Sequence, residues 1–252
     1  MLYCHNLSVQ QQNTQRLHPL DLKISQGERW VVIGRNGSGK TTLLKALVNL
    51  LPFKGEVVIN QLPLRKLTCQ QRAKQISYLP QHSQVDGRLA LREYIQLTAS
   101  HQASSSFSLD HITEALKINA FLERRIGQLS GGQKQRAHIA RTLCQNAEFL
   151  VLDEPLNHLD PCAQGEVLSL LKDQDKTLIC SLHDISLAAK FATHIVILEH
   201  GKVVTKGKVE ELLTHKQLQP IFEVDLISST NERTQKTSKF FDIELDQGQE
   251  IS

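Results

Sequence analysis

The sequence predicts an α/β fold: a mainly parallel sheet with helices on its faces, preceded by an antiparallel β subdomain and interrupted by a helical insertion. Three observations carry this. Short apolar runs, Phe149–Leu152, Thr177–Leu182 and Ile195–Leu198, are separated by helical segments, the alternation that builds a parallel sheet covered on both sides. Trp30–Ile33, a glycine-rich stretch and Thr41–Leu51 read as strand, loop and helix, and the Ser-rich stretch Ser104–Ser108 splits a region of helical pattern.

Taken in order, Leu7–Val9 and Leu20–Ile24 are short strands separated by a polar loop, Gln10–Gln15. Gly27 makes a turn before Trp30–Ile33. Glu56–Ile59 and Ile76–Leu79 are further strands, and Leu89–Thr98 and His111–Leu122 are helices on either side of a turn at Ser104–Ser108. A helical segment follows over Lys134–Leu143. In the tail, Phe222–Ile227 and Phe240–Leu245 alternate with a period of two and are joined by the polar Ser228–Ser238, the pattern of a β-hairpin. There is no internal repeat.

Composition excludes several classes. With 252 residues, 40% apolar and 22% charged, the chain can bury a sizeable core and is neither disordered nor fibrous. A net charge of +3 without a basic stripe argues against nucleic acid as a partner. Cys4, Cys69, Cys144, Cys162 and Cys180 are odd in number and far apart, so reduced thiols and a cytosolic home are expected. Met1–Gln15 lacks the apolar stretch of a signal peptide. No run approaches the roughly 20 apolar residues a bilayer span needs, so any membrane role must be borrowed from a partner.

Gly34-Arg35-Asn36-Gly37-Ser38-Gly39-Lys40-Thr41 matches G-x-x-x-x-G-K-[ST] between a predicted strand and helix. Glycines allow positive φ and close backbone approach, so successive N–H groups can face phosphate oxygens at a helix N-terminus. Lys40 would bridge the β- and γ-phosphates of ATP, and the Thr41 hydroxyl is placed to ligate Mg²⁺. A plain glycine-rich turn is the alternative, but a chance match to the whole motif is on the order of one per cent. The expected ATP-binding set is Gly34, Arg35, Asn36, Gly37, Ser38, Gly39, Lys40, Thr41 and Thr42, on a fold that resembles the RecA-like P-loop NTPases.

Phe149–Leu152 ends abruptly in Asp153 and Glu154, a costly arrangement in a core unless a cation awaits them. Ligands of parallel sheets bind beyond the carboxyl ends of the strands. Asp153 is therefore expected to reach the metal shell and Glu154 to meet an attacking water as general base. A solvated strand end broken by Pro155 is the plainer alternative.

Leu129-Ser130-Gly131-Gly132-Gln133 precedes a helix and resembles the signature sequence of ATP-binding-cassette (ABC) ATPases; by itself it is equally a serviceable S-x-x-Q capping box. Its company decides. Gln81 after Tyr78-Leu79-Pro80 is similar to the family's Q-loop, Asp160 closing Pro155–Asp160 to its D-loop, and His183 to its switch histidine, all in the family's order. The likeness spans about Leu2–Ile227. It implies an ABC ATPase domain over 1–227, with a helical subdomain about 86–145 and an extension over 228–252.

The resemblance implies a catalytic set of Glu154, His183 and Gln81, with Thr41, Gln81 and Asp153 around Mg²⁺. Ser130, Gly131, Gly132 and Gln133 would contact ATP held by the opposite subunit, in a head-to-tail homodimer of this chain. Permease subunits in the membrane and a solute-binding protein are the implied partners. The chain would sit peripherally on the cytoplasmic face of the cell membrane, docking through the region from Gln81 to Thr98, for which an ordinary helical-subdomain surface is the equal alternative. General likeness, including Asp184–Ala189 and Gly201–Val204, is greatest to importer ATPases for iron chelates, haem or cobalamin.

Three departures stand out. Gln10–Gln15 lies where the family's adenine-stacking aromatic usually precedes the phosphate loop, implying a loose hold on adenine and poor base selectivity. Arg35 replaces a common Pro and Leu156 a common Thr, neither of which supplies chemistry. An exporter ATPase is the nearest rival. A non-transport cassette ATPase would usually bring tandem cassettes, coiled coils or zinc ligands, and a phosphate-loop kinase would leave Ser130–Gln133, Gln81 and His183 unexplained.

Overall fold

The computed structural model describes residues 1–98, 109–212, 224–230 and 237–243. The chain opens with β1 (Leu2–Gln11) and β2 (Thr14–Ile24), then β3 (Arg29–Ile33), α1 (Lys40–Leu47), β4 (Lys54–Ile59), β5 (Leu62–Pro63), α2 (Cys69–Gln75) and β6 (Ile76–Leu79). Helices α3 (Leu91–Gln96), α4 (Leu109–Ala115) and α5 (Gly131–Cys144) follow before β7 (Phe149–Leu152). Next come α6 (Pro161–Lys172), β8 (Thr177–Ser181), α7 (Ile185–Phe191), β9 (His194–Glu199), β10 (Lys202–Lys208) and α8 (Val209–Leu212), and then β11 (Val224–Thr230) and β12 (Thr237–Ile243).

The central sheet has the order β10-β9-β3-β8-β7-β6. All its pairs are parallel except the one between β10 and β9. Its inner strands are buried on both faces, which explains their unbroken apolar runs. Side chains alternate between two cores, as the period of two requires. Val31, Ile33, Leu150 and Leu178 join Ile139 and Leu143 of α5 and Val167 and Leu171 of α6. Trp30, Val32, Val151 and Ile179 face Leu43, Leu44 and Leu47 of α1, together with Leu2, Leu7 and Leu17 of a second, antiparallel sheet ordered β2-β1-β4-β5.

Several boundaries differ from the sequence reading, each for a local reason. The expected loop Gln10–Gln15 is mostly strand: Gln10 pairs with Gln15 and Gln11 with Thr14. Only Gln12 and Asn13 turn, at φ 46° and 60°, the two-residue hairpin geometry that matches strand twist. The helix expected to reach Leu51 ends at Leu47, because Asn49 takes a left-handed φ of 58°. The Asn49 and Leu50 N–H groups then donate back to the Ala46 and Lys45 carbonyls, closing a Schellman motif. The helix expected over His111–Leu122 stops at Ala115, where Lys117 is left-handed, and resumes as a 3₁₀ turn at Asn119–Phe121.

The antiparallel edge strand β10 was not expected; its polar alternation reflects an edge exposed on every second residue. Strands β11 and β12 pair from Val224↔Ile243 to Thr230↔Thr237, offset from the expected Phe222–Ile227 and Phe240–Leu245. The expected turn at Ser104–Ser108, and residues 222–223 and 244–245, lie outside the described residues.

One backbone junction ties the two sheets to the phosphate loop. The Gly201 N–H donates to the Ser38 carbonyl at 2.9 Å, and the His18 N–H donates to the Gly201 carbonyl at 2.7 Å. Gly201 has φ 75°, and a Cβ there would lie 2.5 Å from the Arg16 carbonyl oxygen. Strain and collision with backbone act together. Gly201→Ala is expected to lower unfolding stability by about 1–3 kcal/mol, read as a lower urea midpoint at unchanged slope; an unchanged midpoint would refute the junction's role.

Candidate functional site

Parallel pairing in register delivers the chemistry-bearing residues to one edge. Leu79 of β6 lies beside Leu152 of β7, Leu152 beside Cys180 of β8, and Ser181 beside Val32 of β3. All four strands run the same way, so the segments leaving them emerge together: Gly34–Thr41 after β3, Asp153 and Glu154 after β7, His183 after β8 and Gln81 after β6. The Asp153 N–H donates to the Leu79 carbonyl at 2.8 Å and extends the ladder by one residue.

The loop Gly34–Thr41 is shaped by glycine. Gly37 and Gly39 have φ of 78° and 106°, and a Cβ on Gly34 would lie 2.3 Å from the Leu198 carbonyl oxygen. Gly39 caps α1 without a side-chain hydrogen bond, and no acidic residue occupies the first turn. The helix therefore presents N–H groups and positive dipole without a built-in anion. Ser38 Oγ is buried with no hydrogen-bond partner. Lys40 is buried, and its Nζ donates to the Gly34 carbonyl at 2.8 Å and the Arg35 carbonyl at 3.2 Å. Burial holds its ammonium below the ordinary lysine range, opposed by the Glu154 and Asp153 charges. These features fit a polyphosphate, which would accept from the loop N–H groups, Ser38 and Lys40.

Asp153 is wholly buried. Ser181 Oγ donates to its Oδ1 at 2.7 Å and accepts from the Glu154 N–H at 2.8 Å, so one hydroxyl fixes both acids. The Tyr78 hydroxyl stands 3.5 Å from Asp153 Oδ2, a long contact. Glu154 adopts a left-handed φ of 51°, unusual for a residue with a side chain, and its backbone turns sharply out of the strand direction. Its Oε1 meets His183 Nε2 at 2.6 Å, while Oε2 accepts from Gln81 Nε2 at 2.7 Å and Asn157 Nδ2 at 2.6 Å. Burial pushes the Glu154 carboxyl upward, but the Asn157 hydrogen bond, the His183 charge and hydrogen bond, and the Gln81 hydrogen bond together hold it below its ordinary value.

Lys40, Thr41, Thr42, Gln81, Glu154 and His183 line one cleft of about 500 Å³, together with Asn36–Gly39 and with Gln11 and Arg16 of the first hairpin. Gly34 is buried beneath the loop and Arg35 is exposed on its outer side. No group of three or more His, Cys, Asp or Glu able to hold a metal is found among the described residues. Of the expected metal partners, Thr41 and Gln81 line the cleft, whereas Asp153 lies buried behind it on Ser181; such a sparse donor set would suit Mg²⁺ bound largely by substrate phosphates.

Ser130, Gly131, Gly132 and Gln133 do not line this cleft. Ser130 caps α5 in a reciprocal box: the Gln133 N–H donates to Ser130 Oγ at 3.2 Å and the Ser130 N–H to Gln133 Oε1 at 2.9 Å. Gly132 passes so close to the next loop that a Cβ would lie 3.1 Å from the His158 carbonyl oxygen. Asp160 caps α6, its Oδ1 accepting from the Ala163 N–H at 2.9 Å. Reading residues in sequence missed Ser181, Asn157 and Gln135. Gln135 Nε2 donates to the Pro155 carbonyl at 2.8 Å and so ties α5 to the loop after the acids. A serine ending an otherwise apolar strand was the available signal for Ser181; Gln135, on a helix far along the chain, offered none.

The Glu154 carboxyl sets a pH dependence. Its folded value lies below the ordinary 4.5, so its ionised form stabilises the fold above that value, and the contribution is lost as pH falls through the folded value. Glu154→Gln should therefore be less stable than the parent chain near pH 6, with a gap that narrows towards pH 4. Urea midpoints across that range test this, and a constant gap would contradict it.

A family profile described as ABC transporter matches residues 17–157. The petrobactin import ATP-binding protein of Bacillus anthracis is 34% identical over 225 residues, covering 84% of this chain and 82% of that protein. The vitamin B12 import ATP-binding protein of Vibrio cholerae is 32% identical over 222 residues, covering 82% and 88%. Among solved structures, a dimeric ATP-binding cassette in a post-hydrolysis state bound to ADP and Pi superposes with a TM-score of 0.72 at 27% identity, covering 83% of this chain and 99% of that one. The family profile and these relatives, on a fold whose Asn36–Thr42 loop, Gln81, Glu154 and His183 meet in one cleft, show that the chain belongs to the ABC transporter family, as an ATP-hydrolysing subunit.

Proposed function

We propose that the chain energises import of a small solute, an iron chelate, haem or cobalamin, as a homodimer beneath membrane permease subunits fed by a solute-binding protein. Its place is the cytoplasmic face of the cell membrane, held there by those partners; no helix among the described residues is long and apolar enough to cross a bilayer. The import direction and cargo class rest on the curated relatives, which are named for petrobactin and vitamin B12 import.

The observation that carries the catalytic reading is the contact set on Glu154: a buried carboxylate, held by His183, Gln81 and Asn157, in the same cleft as Lys40. Lys40 leaves the Gly34 and Arg35 carbonyls to meet the β- and γ-phosphate oxygens, where its charge is no longer balanced only by backbone. Gly34–Thr42 supply the cradle. Glu154, kept ionised, accepts the proton of the attacking water; His183 Nε2 turns from Glu154 to hydrogen-bond the γ-phosphate. Thr41, Gln81 and Asp153 would hold Mg²⁺, which would supply positive charge against the phosphates. Gln81 holds Glu154 through its amide nitrogen here, and its amide oxygen is the end suited to a cation.

Ser130–Gln133 stand apart from the cleft of their own chain, at an exposed helix start with two glycines. We assign them to the phosphates held by a second copy, with Asp160 and the loop before it beside them at the subunit junction. The segment from Gln81 to Thr98 is assigned to the permease contact. A groove nearby is lined by Tyr78, His82, His138 and Arg141.

Glu154→Gln is the decisive variant. Hydrolysis is expected to fall about a hundredfold or more, the scale of losing a general base, with ATP binding kept; the tagged variant should retain a polytopic membrane protein when purified from gently solubilised membranes. Unchanged turnover would remove Glu154 from this role. Recovery from the soluble fraction with nucleic acid or ribosomes attached would favour a non-transport cassette.

A further inference from the structure

Among the described residues, the cleft that takes the phosphates has no Phe, Tyr or Trp in its lining, and its one imidazole, His183, is engaged with Glu154. A purine ring attached to those phosphates still needs a surface to lie against, since a base left in water contributes nothing to affinity. Glu154, His183 and Gln81 form the wall that receives the terminal phosphate. The first hairpin contributes the other lining side chains, Gln11 at the end of β1 and Arg16 near the start of β2.

Arg16 is held in place by backbone contacts on both sides. A Cβ built on Gly39, the residue that caps α1, would lie 3.3 Å from the Arg16 carbonyl oxygen, and one on Gly201 only 2.5 Å from it. Two residues on, the His18 N–H donates to the Gly201 carbonyl, and Gly201 in turn donates to Ser38 inside the phosphate loop. Arg16 thus projects an exposed guanidinium from a backbone locked against the loop itself. A guanidinium is planar, delocalised and weakly hydrated, and it stacks on aromatic faces as an ammonium does not.

We propose that Arg16 is the base platform of this site: its guanidinium stacks on the purine of the bound nucleotide, beside the Gln11 carboxamide at the base edge. The assignment rests on the reading of the cleft as an ATP site. Stacking on a guanidinium accepts any purine face, and a carboxamide presents a donor and an acceptor that rotate to suit the edge. Adenine and guanine are therefore held comparably, and the site draws its affinity chiefly from phosphate.

Calorimetric titrations of ATP, GTP and inorganic tripolyphosphate into the parent chain, Arg16→Ala, Arg16→Lys and Arg16→Tyr test this. Arg16→Ala and Arg16→Lys should each weaken ATP and GTP by about three- to tenfold, the scale of one cation–π contact, and change tripolyphosphate by less than about twofold. Arg16→Tyr should restore nucleotide affinity. Equal losses for all three ligands, rescued by Arg16→Lys, would make Arg16 a phosphate-attracting charge and overturn the assignment; so would a loss for ATP alone, which would signal edge recognition in place of stacking. A parent chain that binds neither ATP nor tripolyphosphate would sink the nucleotide reading itself, and this assignment with it, whereas intact tripolyphosphate binding in every variant isolates the base contact.

Discussion

The Ser181 hydroxyl, shared between Asp153 and the Glu154 backbone, is the contact on which the site depends. It spans β8 and β7 at the point where both strands end, donating to one acid and accepting from the N–H of the next. The parallel register makes this possible: had β8 slipped by one residue against β7, the hydroxyl would face the opposite core and a buried carboxylate would lose its hydrogen bond. The same register sets Leu79 beside Leu152, which brings Gln81 within reach of Glu154. Packing of the two cores fixes the strands, the strands fix the level of their carboxyl ends, and those ends fix the cleft.

Electrostatics then divides labour between neighbouring groups. Asp153 lies wholly buried and tied to Ser181, whereas Glu154 is gripped by side chains from three separate segments, Gln81, Asn157 and His183. An acid gripped this way stays ionised, and each of its partners is a lever by which a distant element can move it. Gln81 leads into the segment before α3, Asn157 into α6, and Gln135 ties α5 to Pro155. A displacement of α3 to α6 relative to the central sheet would therefore change the surroundings of Glu154. Across the cleft, Lys40 rests on loop carbonyls with the uncapped start of α1 beside it, an arrangement whose unmet hydrogen-bonding capacity matches anionic oxygens.

Much of this was legible in the sequence. The phosphate loop and the acids ending Phe149–Leu152 announce themselves because their chemistry is local: glycine spacing and an apolar run broken by charge. The parallel core followed from alternation alone. What the sequence concealed depends on contacts between remote residues. The polar segment Gln10–Gln15 read as loop because its side chains face water, yet two residues with positive φ let it pair as a hairpin. That pairing, with the contacts to Gly39 and Gly201, sets Arg16 beside the phosphate loop. Similarly, α4 ends early because Lys117 turns left-handed, which no hydrophobic period encodes, and Gln135 matters only through a loop some 20 residues away.

One chain presents a cleft and, separately, the helix start at Ser130, whose residues do not enter that cleft. ABC ATPases dimerise, and here a second copy would bring its own Ser130 segment to the open side of the phosphates. Sedimentation of the Glu154→Gln chain with and without ATP and Mg²⁺ tests this most directly. A monomer without nucleotide that becomes a dimer carrying two ATP molecules is the expected result; a chain that stays monomeric at saturating ATP would contradict a site completed by its partner.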